Sequence, residues 1–352
     1  MSPRILAVLA FLLLLVSGGF HPALAQENGL FTVSGVHVDA SGASSTEALN
    51  AAIAQGRAKA FQIIYRRLTR QADWPRQPTL DAAGLLRLGR GFSIANERRS
   101  TTRYVASMTY VFNAELVRRL LRSQNIAFVD TTAKPVLVVA MAPGYEPHSA
   151  WAMALANPKY QSGEVPILPP DANDNLLGGL DFDTAQWPSV QPAAAHIHAS
   201  DAFLARLTPG KGSLTVSLRR LAMGAPAPIP DVVVGVKPGE PQAAALAAAA
   251  DATAAAIVEA WKSRSAVDFS KRLRLTADVR LDSVADWGAI LQRLGQIPTI
   301  SDVNVVAMDT GEARIAITYV GTPDQLQAYA GQNDLGLTNA DGTWQLALRA
   351  SP

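Results

Sequence analysis

No cysteine occurs in the 352 residues. That excludes a disulfide scaffold, a thiolate zinc or iron–sulfur site, a cysteine nucleophile and a lipid-modified N-terminal cysteine. Histidine is scarce: of five, His21 lies in the first 25 residues, leaving His37, His148, His196 and His198. No P-loop, H-E-x-x-H or G-x-S-x-G motif is present. Gly89-Arg90-Gly91 lacks the third glycine and the strand-before-helix setting of a dinucleotide fingerprint. After residue 25 no stretch reaches the ~18 consecutive uncharged apolar residues of a membrane span. These absences point to a chain with no catalytic residue, cofactor or metal site. What is present is a globular composition, 49% hydrophobic and 17% charged, in a length that suits two or three domains.

Met1 to Arg4 is a short basic start, Ile5 to Val16 an apolar run, and Ser17 to Ala25 a small-residue stretch ending in Ala23-Leu24-Ala25. This is the order of a secretory signal peptide over residues 1–25, cleaved before Gln26. Twelve apolar residues rise only about 18 Å as a helix, short of the ~30 Å hydrocarbon core. The expectation is an exported, periplasmic protein with no transmembrane span in the mature chain, which sets nucleic acid aside as a partner.

Three parts follow. Residues 27–130 begin with a strand at Phe31 to Val38. Ser44 and Glu47 then open a helix whose Leu49, Ile53, Ala60, Ile64 and Leu68 share a face. Strands at Phe92 to Arg98 and Arg103 to Phe112, a helix capped by Asn113 and ending at Asn125, and a closing strand at Ile126 to Val129 complete a split βαβ order. Residues 134–265 open with Pro135 to Ala142, apolar on both faces and therefore expected in the middle of a covered sheet. A short strand at Val165 to Leu168, loop over much of Asp171 to Gln191 and a helix from about Ala193 to Leu207 come next. Strands at Leu214 to Leu221 and Val232 to Val236 and an alanine-rich helix from Pro241 to Lys262 finish the unit. Residues 270–350 again read βαββαβ, with strands at Lys271 to Leu281, Val303 to Met308, Ala313 to Val320 and Thr343 to Leu348. The fold class expected is α+β and α/β multidomain, with two split βαβ (ferredoxin-like) modules flanking a central α/β layer domain.

The signal peptide, the run AIAQGRAKAFQIIYRRLTR through YVASMTYVFNAELVRRLLRSQNIAFVD, and the strand KPVLVVAMAP together resemble an uncharacterised family of exported bacterial proteins, domain of unknown function 2066. The resemblance covers roughly residues 30–225 and carries no catalytic motif. It departs at GYEPHSAWAMALAN after the apolar strand and in the proline-rich loop before His196. The middle part is also loosely similar, by fold analogy, to envelope α/β domains of curli-secretion and penicillin-binding-protein activator lipoproteins.

His196, His198 and Asp201 could form a metal set, but i and i+2 on a helix point about 200° apart, so a polar helix start capped near Ser200 or Asp201 is the plainer reading. Asp171, Asn173 and Asn175 match the first ligands of a calcium loop, yet Leu176 and Phe182 stand where glycine and glutamate belong; an Asx-rich turn is expected. Charge is more informative. Residues 27–142 hold 15 Lys or Arg against 8 Asp or Glu, residues 143–270 hold 8 against 12, and residues 271–352 hold 7 against 9. Arg57, Arg66, Arg67, Arg70, Arg118, Arg119 and Arg122 fall on predicted helix exteriors of the basic part, and arginine suits bidentate contact with phosphate or carboxylate. The function expected is a non-enzymatic cell-envelope scaffold or adaptor whose basic N-terminal domain meets an envelope protein, anionic envelope polymer or lipid head groups. The alternatives are a periplasmic small-ligand-binding protein, with Trp187, His196 and His198 as the candidate ligand loop, and an envelope hydrolase.

Overall fold

The computed structural model describes residues 29–142, 144–171, 175–199, 201–222, 228–269, 272–281, 283–309, 311–340 and 342–348. The expected export signal at 1–25 lies outside them, as do Asn173, Ser200 and Thr310. The chain is a mixed α and β protein with three sheets.

The first sheet is built from β1 (Thr32–Ser41), β2 (Gly89–Arg99) and β3 (Arg103–Phe112) in the order β1-β3-β2, antiparallel throughout. Helix α1 (Ser45–Leu68) starts where the Ser44 hydroxyl accepts from the Glu47 amide at 3.2 Å, while the Glu47 carboxylate accepts from the Ala43 amide at 2.9 Å. The short α2 (Ala82–Leu88), capped by Asp81, was not expected. Asn113 caps α3 (Ala114–Ser123), and Asn125 ends it at φ 49°, as its residue type suggests. Tyr104, Ala106, Met108, Tyr110 and Phe112 all turn inward from β3 and meet Ala52, Phe61 and Ile64 of α1 and Val117 and Leu121 of α3. Gly56 is required on α1, because a Cβ there would collide with the Tyr110 hydroxyl and Val38.

The expected closing strand at Ile126 to Val129 does not join this sheet. Phe128 instead makes an isolated antiparallel bridge to Val267, and the Val129 amide donates to the Leu68 carbonyl at 2.9 Å. Ile126 and Phe128 face the core beneath the first sheet; Ala127 and Val129 face the core of the second. The four residues are apolar throughout and their two faces are claimed by different cores, so the segment becomes a junction instead of a fourth strand.

The second sheet has the order β5-β4-β6-β7-β8, from β4 (Val136–Met141), β5 (Ile167–Leu168), β6 (Asp201–Gly210), β7 (Ser213–Leu221) and β8 (Val232–Gly235). Every residue of β4 is buried, flanked by parallel β5 and β6. On one face lie α4 (Ala150–Leu155) and α6 (Gln242–Ser265), and on the other α5 (Trp187–His196). A helix running from Ala193 to Leu207 is corrected: α5 ends at His196, His198 adopts φ 54°, and residues 201–210 are strand. Phe203 and Ala205 enter one core, Ala202 and Leu204 the other, a both-faced pattern that periodicity cannot separate from a buried helix. The stretch before α5 is anchored by buried Leu177, Phe182 and Ala185, so it is part of the layer covering the sheet.

The third sheet contains β9 (Arg272–Arg280), β10 (Ile300–Met308), β11 (Glu312–Val320), β12 (Leu335–Ala340) and β13 (Thr343–Leu348), in the order β10-β11-β9-β13-β12. Helices α7 (Val284–Gly295) and α8 (Pro323–Gln332) complete the unit, α8 with a full Thr322/Gln325 capping box. The plain βαββαβ order is corrected by β12, which forms a hairpin with β13 and leaves β13 parallel to β9. The signal overlooked was Asp341-Gly342, a hairpin dipeptide whose glycine sits at φ 85°.

Helix α6 is, among the described residues, the one helix long and apolar enough to cross a membrane by length and composition. It packs Ala245, Ala249, Ala250, Ile257 and Trp261 against the second sheet, and Asp251 on it pairs with Lys159 at 2.6 Å.

Burial pushes the Tyr110 phenol up to about 12, and its hydroxyl donates to the Ile53 carbonyl at 3.0 Å. The unfolded phenol ionises near its ordinary value of about 10 while the folded one stays protonated, so Tyr110 contributes stability that is lost as pH rises from about 10 through 12. Denaturant melts across that range should show the loss, reduced in Tyr110→Phe.

Candidate functional site

The seven arginines expected on the basic face divide into two groups. Arg118 is mostly buried: its guanidinium bonds Asp130 at 2.7 Å and Glu115 at 2.8 Å and lies 5.3 Å from the centre of the Phe31 ring. Arg67 donates to the carbonyls of Leu30 at 2.8 Å and Thr32 at 2.7 Å and pairs with Glu164 at 3.7 Å. Burial holds its guanidinium below the usual arginine range, with Glu164 opposing. Arg70 pairs with buried Asp73 at 2.8 Å, sharing that carboxylate with Arg76. These three hold the fold together.

Arg57, Arg66, Arg119 and Arg122 make no ion pair among the described residues. Arg66 lies over the Trp74 ring at 4.9 Å and Arg122 over Phe269 at 4.6 Å, so each guanidinium is held flat on an aromatic face. Arg66 and Arg122 occupy the last turns of α1 and α3, where the exposed carbonyl ends of the helices favour positive charge. Arg76, which donates to the Asn125 carbonyl at 3.0 Å, ties the segment after α1 to the end of α3. Arg66 and Arg122 therefore lie at one end of the unit, with exposed Arg119 one turn before Arg122 on α3; Arg57 is half-buried nine residues before Arg66 on α1.

Behind this end is a polar junction with the second sheet's unit. Lys262, 4% exposed, donates to the Arg66 carbonyl at 2.8 Å. The Gln71 amide donates to both oxygens of Glu259 at 3.0 Å. Burial lowers the affinity of Lys262 for its proton, Glu164 and Glu259 oppose that, and nearby Arg67 adds to it.

The residues proposed for a ligand loop are not brought together. Trp187 opens α5 and His196 ends it, about 13 Å apart by helical rise, and His198 lies beyond in a left-handed turn. Asp181 forms a closed turn, accepting from the Thr184 hydroxyl at 2.7 Å and the Thr184 amide at 2.9 Å. These bonds hold its carboxyl below the usual range. Asp183 is paired with Arg206 at 2.9 Å. Among the described residues no three His, Asp or Glu side chains converge as a metal site requires. A concavity of ligand size lies elsewhere: a cavity of about 410 Å³ between α4 and the start of α6, walled by Met153, Ala154, Leu246 and Ala247, with Lys159 and Tyr160 beside it. No composition signal marked it, because alanine-rich helices predict a packed face as readily as a lined one.

No family model matches the chain, and no curated protein matches it significantly.

Arg118→Ala should cost about 3 kcal/mol, because it strands Asp130 half-desolvated, whereas Arg119→Ala should change stability by less than ~0.5 kcal/mol. Urea melts of the two variants make the comparison.

Proposed function

We propose that this chain is a non-catalytic binding protein of the cell envelope, exported and periplasmic, that meets an anionic partner through Arg66, Arg119 and Arg122. The observation that carries this reading is that Arg66, Arg119 and Arg122 are exposed and make no ion pair among the described residues, in a segment that holds 15 basic against 8 acidic residues. Two are pre-oriented on aromatic rings, which lowers the entropy lost on binding a planar or tetrahedral anion. Lipid head groups or an acidic envelope polymer are the partners with suitable chemistry, and an acidic envelope protein is the other. Export rests on the pattern of residues 1–25, and membership of the domain of unknown function 2066 family rests on the residue runs quoted for it.

The same reading takes residues 27–130, 134–265 and 270–350 as three domains, the outer two as variants of the split βαβ fold. The orders β1-β3-β2 and β10-β11-β9 support it, since in each the second strand lies outside the third. In the first variant the fourth strand is diverted to the junction; in the second a hairpin takes its place.

Basic residues near an anionic bilayer contribute ~1 kcal/mol each, so reversing Arg66, Arg119 and Arg122 to Glu should weaken sedimentation with phosphatidylglycerol vesicles more than about a hundredfold. Circular dichroism should be unchanged, and binding by the parent should fall with salt. Binding that survives the triple reversal rejects the proposal.

A small-ligand reading is favoured only by the 410 Å³ cavity, whose size suits a compact molecule with an apolar body and a polar group toward Lys159. Thermal-shift screening with short-chain amphiphilic carboxylates should find stabilisation that disappears in Ala247→Arg; no hit in the parent ends that reading.

A further inference from the structure

The outer two sheets each keep one edge closed and one open. On β1 the Phe31 carbonyl accepts from the Phe112 amide, so the Leu30 and Thr32 carbonyls face outward, and Arg67 occupies both. On β12 the Gln327 side chain donates to the Leu337 carbonyl at 3.0 Å. The opposite edges, β2 and β10, receive no side-chain hydrogen bond to their backbone among the described residues. β2 is exposed along nearly its whole length and β10 along most of it. The central sheet offers less, its edge strands being two and four residues long.

Both open strands carry apolar side chains on the helix-facing side, where the helices stop short of the edge. Phe92 and Ile94 are 41% and 40% exposed; Val305 and Met308 are 50% and 49% exposed. Bulges interrupt both strands, but Gly91 to Ala95 and Asp302 to Val305 run in unbroken register with their own neighbours. Long open edges are ordinarily blunted by charge, proline or cover. Here the charge differs in sign between the two. β2 itself holds Arg90, Arg98 and Arg99 against Glu97, whereas β10 holds Asp302 and no basic residue, with Asp309 and Glu312 just beyond its end and Arg314, paired with Asp278, after them. Like edges repel and unlike edges attract.

We infer that a second copy of this chain covers each open edge, β2 of one molecule adding to β10 of the next. Such a contact is head-to-tail, and it joins the three-stranded and five-stranded sheets into one of eight strands with Phe92, Ile94, Val305 and Met308 on a shared apolar face. Because the two surfaces differ, the assembly grows as a chain or closes as a ring. The inference is independent of the anionic-partner proposal, since none of Arg66, Arg119 and Arg122 lies on β2.

Sedimentation velocity of the whole protein tests it. The average mass should rise with concentration and fall in high salt, with association weakened at least about tenfold as the charge attraction is screened. Ile94→Glu places a carboxylate against the acidic edge and Val305→Lys an ammonium against the basic one, so each variant alone should be monomeric. An equimolar mixture should recover association, at least to a dimer, through its one intact pair of edges. A parent that stays monomeric to millimolar concentration overturns the inference, as does a single variant that assembles as well as the parent, which would mean like edges pair. If either variant fails to fold, hydrogen exchange of the parent decides: amides of both β2 and β10 should gain protection with concentration, and protection of neither or of one alone overturns it.

Discussion

Four residues between α3 and β4 hold three cores in register. A strand has two faces, and here Ile126 and Phe128 fill one core while Ala127 and Val129 fill another. Phe128 also bridges Val267, which belongs to the third, and stacks on Phe269 with ring centres 5.0 Å apart. The amide side of the same segment is satisfied from α1, through Val129 and Leu68. Because period-two geometry leaves no freedom to rotate one face without the other, shifting any one core by a residue would expose apolar side chains in its neighbour. The chain therefore behaves as connected units that share an apolar segment as their seam, flanked by polar contacts.

Around that seam the charges have been sorted by solvent. Arg118 with Asp130, Arg67 with the β1 carbonyls, and Lys262 with the Arg66 carbonyl all lie where desolvation is costly, and each has partners that offset it. Arg66 and Arg119 point to solvent, and Arg122 lies at the rim of the seam over Phe269. A count of arginines treats both groups alike. Only the partners distinguish a residue that holds two units together from one that can meet an anion.

Much of the local structure was legible. The strand at Arg103 to Phe112, the caps at Ser44 and Asn113, and the fully apolar β4 are set by neighbours in sequence, so pattern alone found them. The misses share a cause. Residues 201–210 and 126–129 owe their state to what packs on both sides, and apolar spacing is silent on which partner arrives. The arginines failed to sort for the same reason: Arg118 and Arg119 are adjacent, and one helical step of about 100° carries the first onto Asp130 and Phe31 and the second into water. The candidate ligand loop rested on residue type, which does not give proximity: Trp187 and His196 stand at opposite ends of one helix.

The composition of α6 has a consequence before the fold exists. Spread over 24 residues, its alanines make the segment apolar enough for bilayer insertion by composition. Alanine partitions only weakly, however, and each charge near the middle of a segment raises the cost of transfer by about 2.5–3.5 kcal/mol. Asp251 and Glu259, with Lys262 and Arg264 near the end, thus act on the unfolded chain as well as on the native one. The residues that reach Lys159, Gln71 and Arg66 in the fold thus also make the segment less suited to lipid than its alanine content alone suggests.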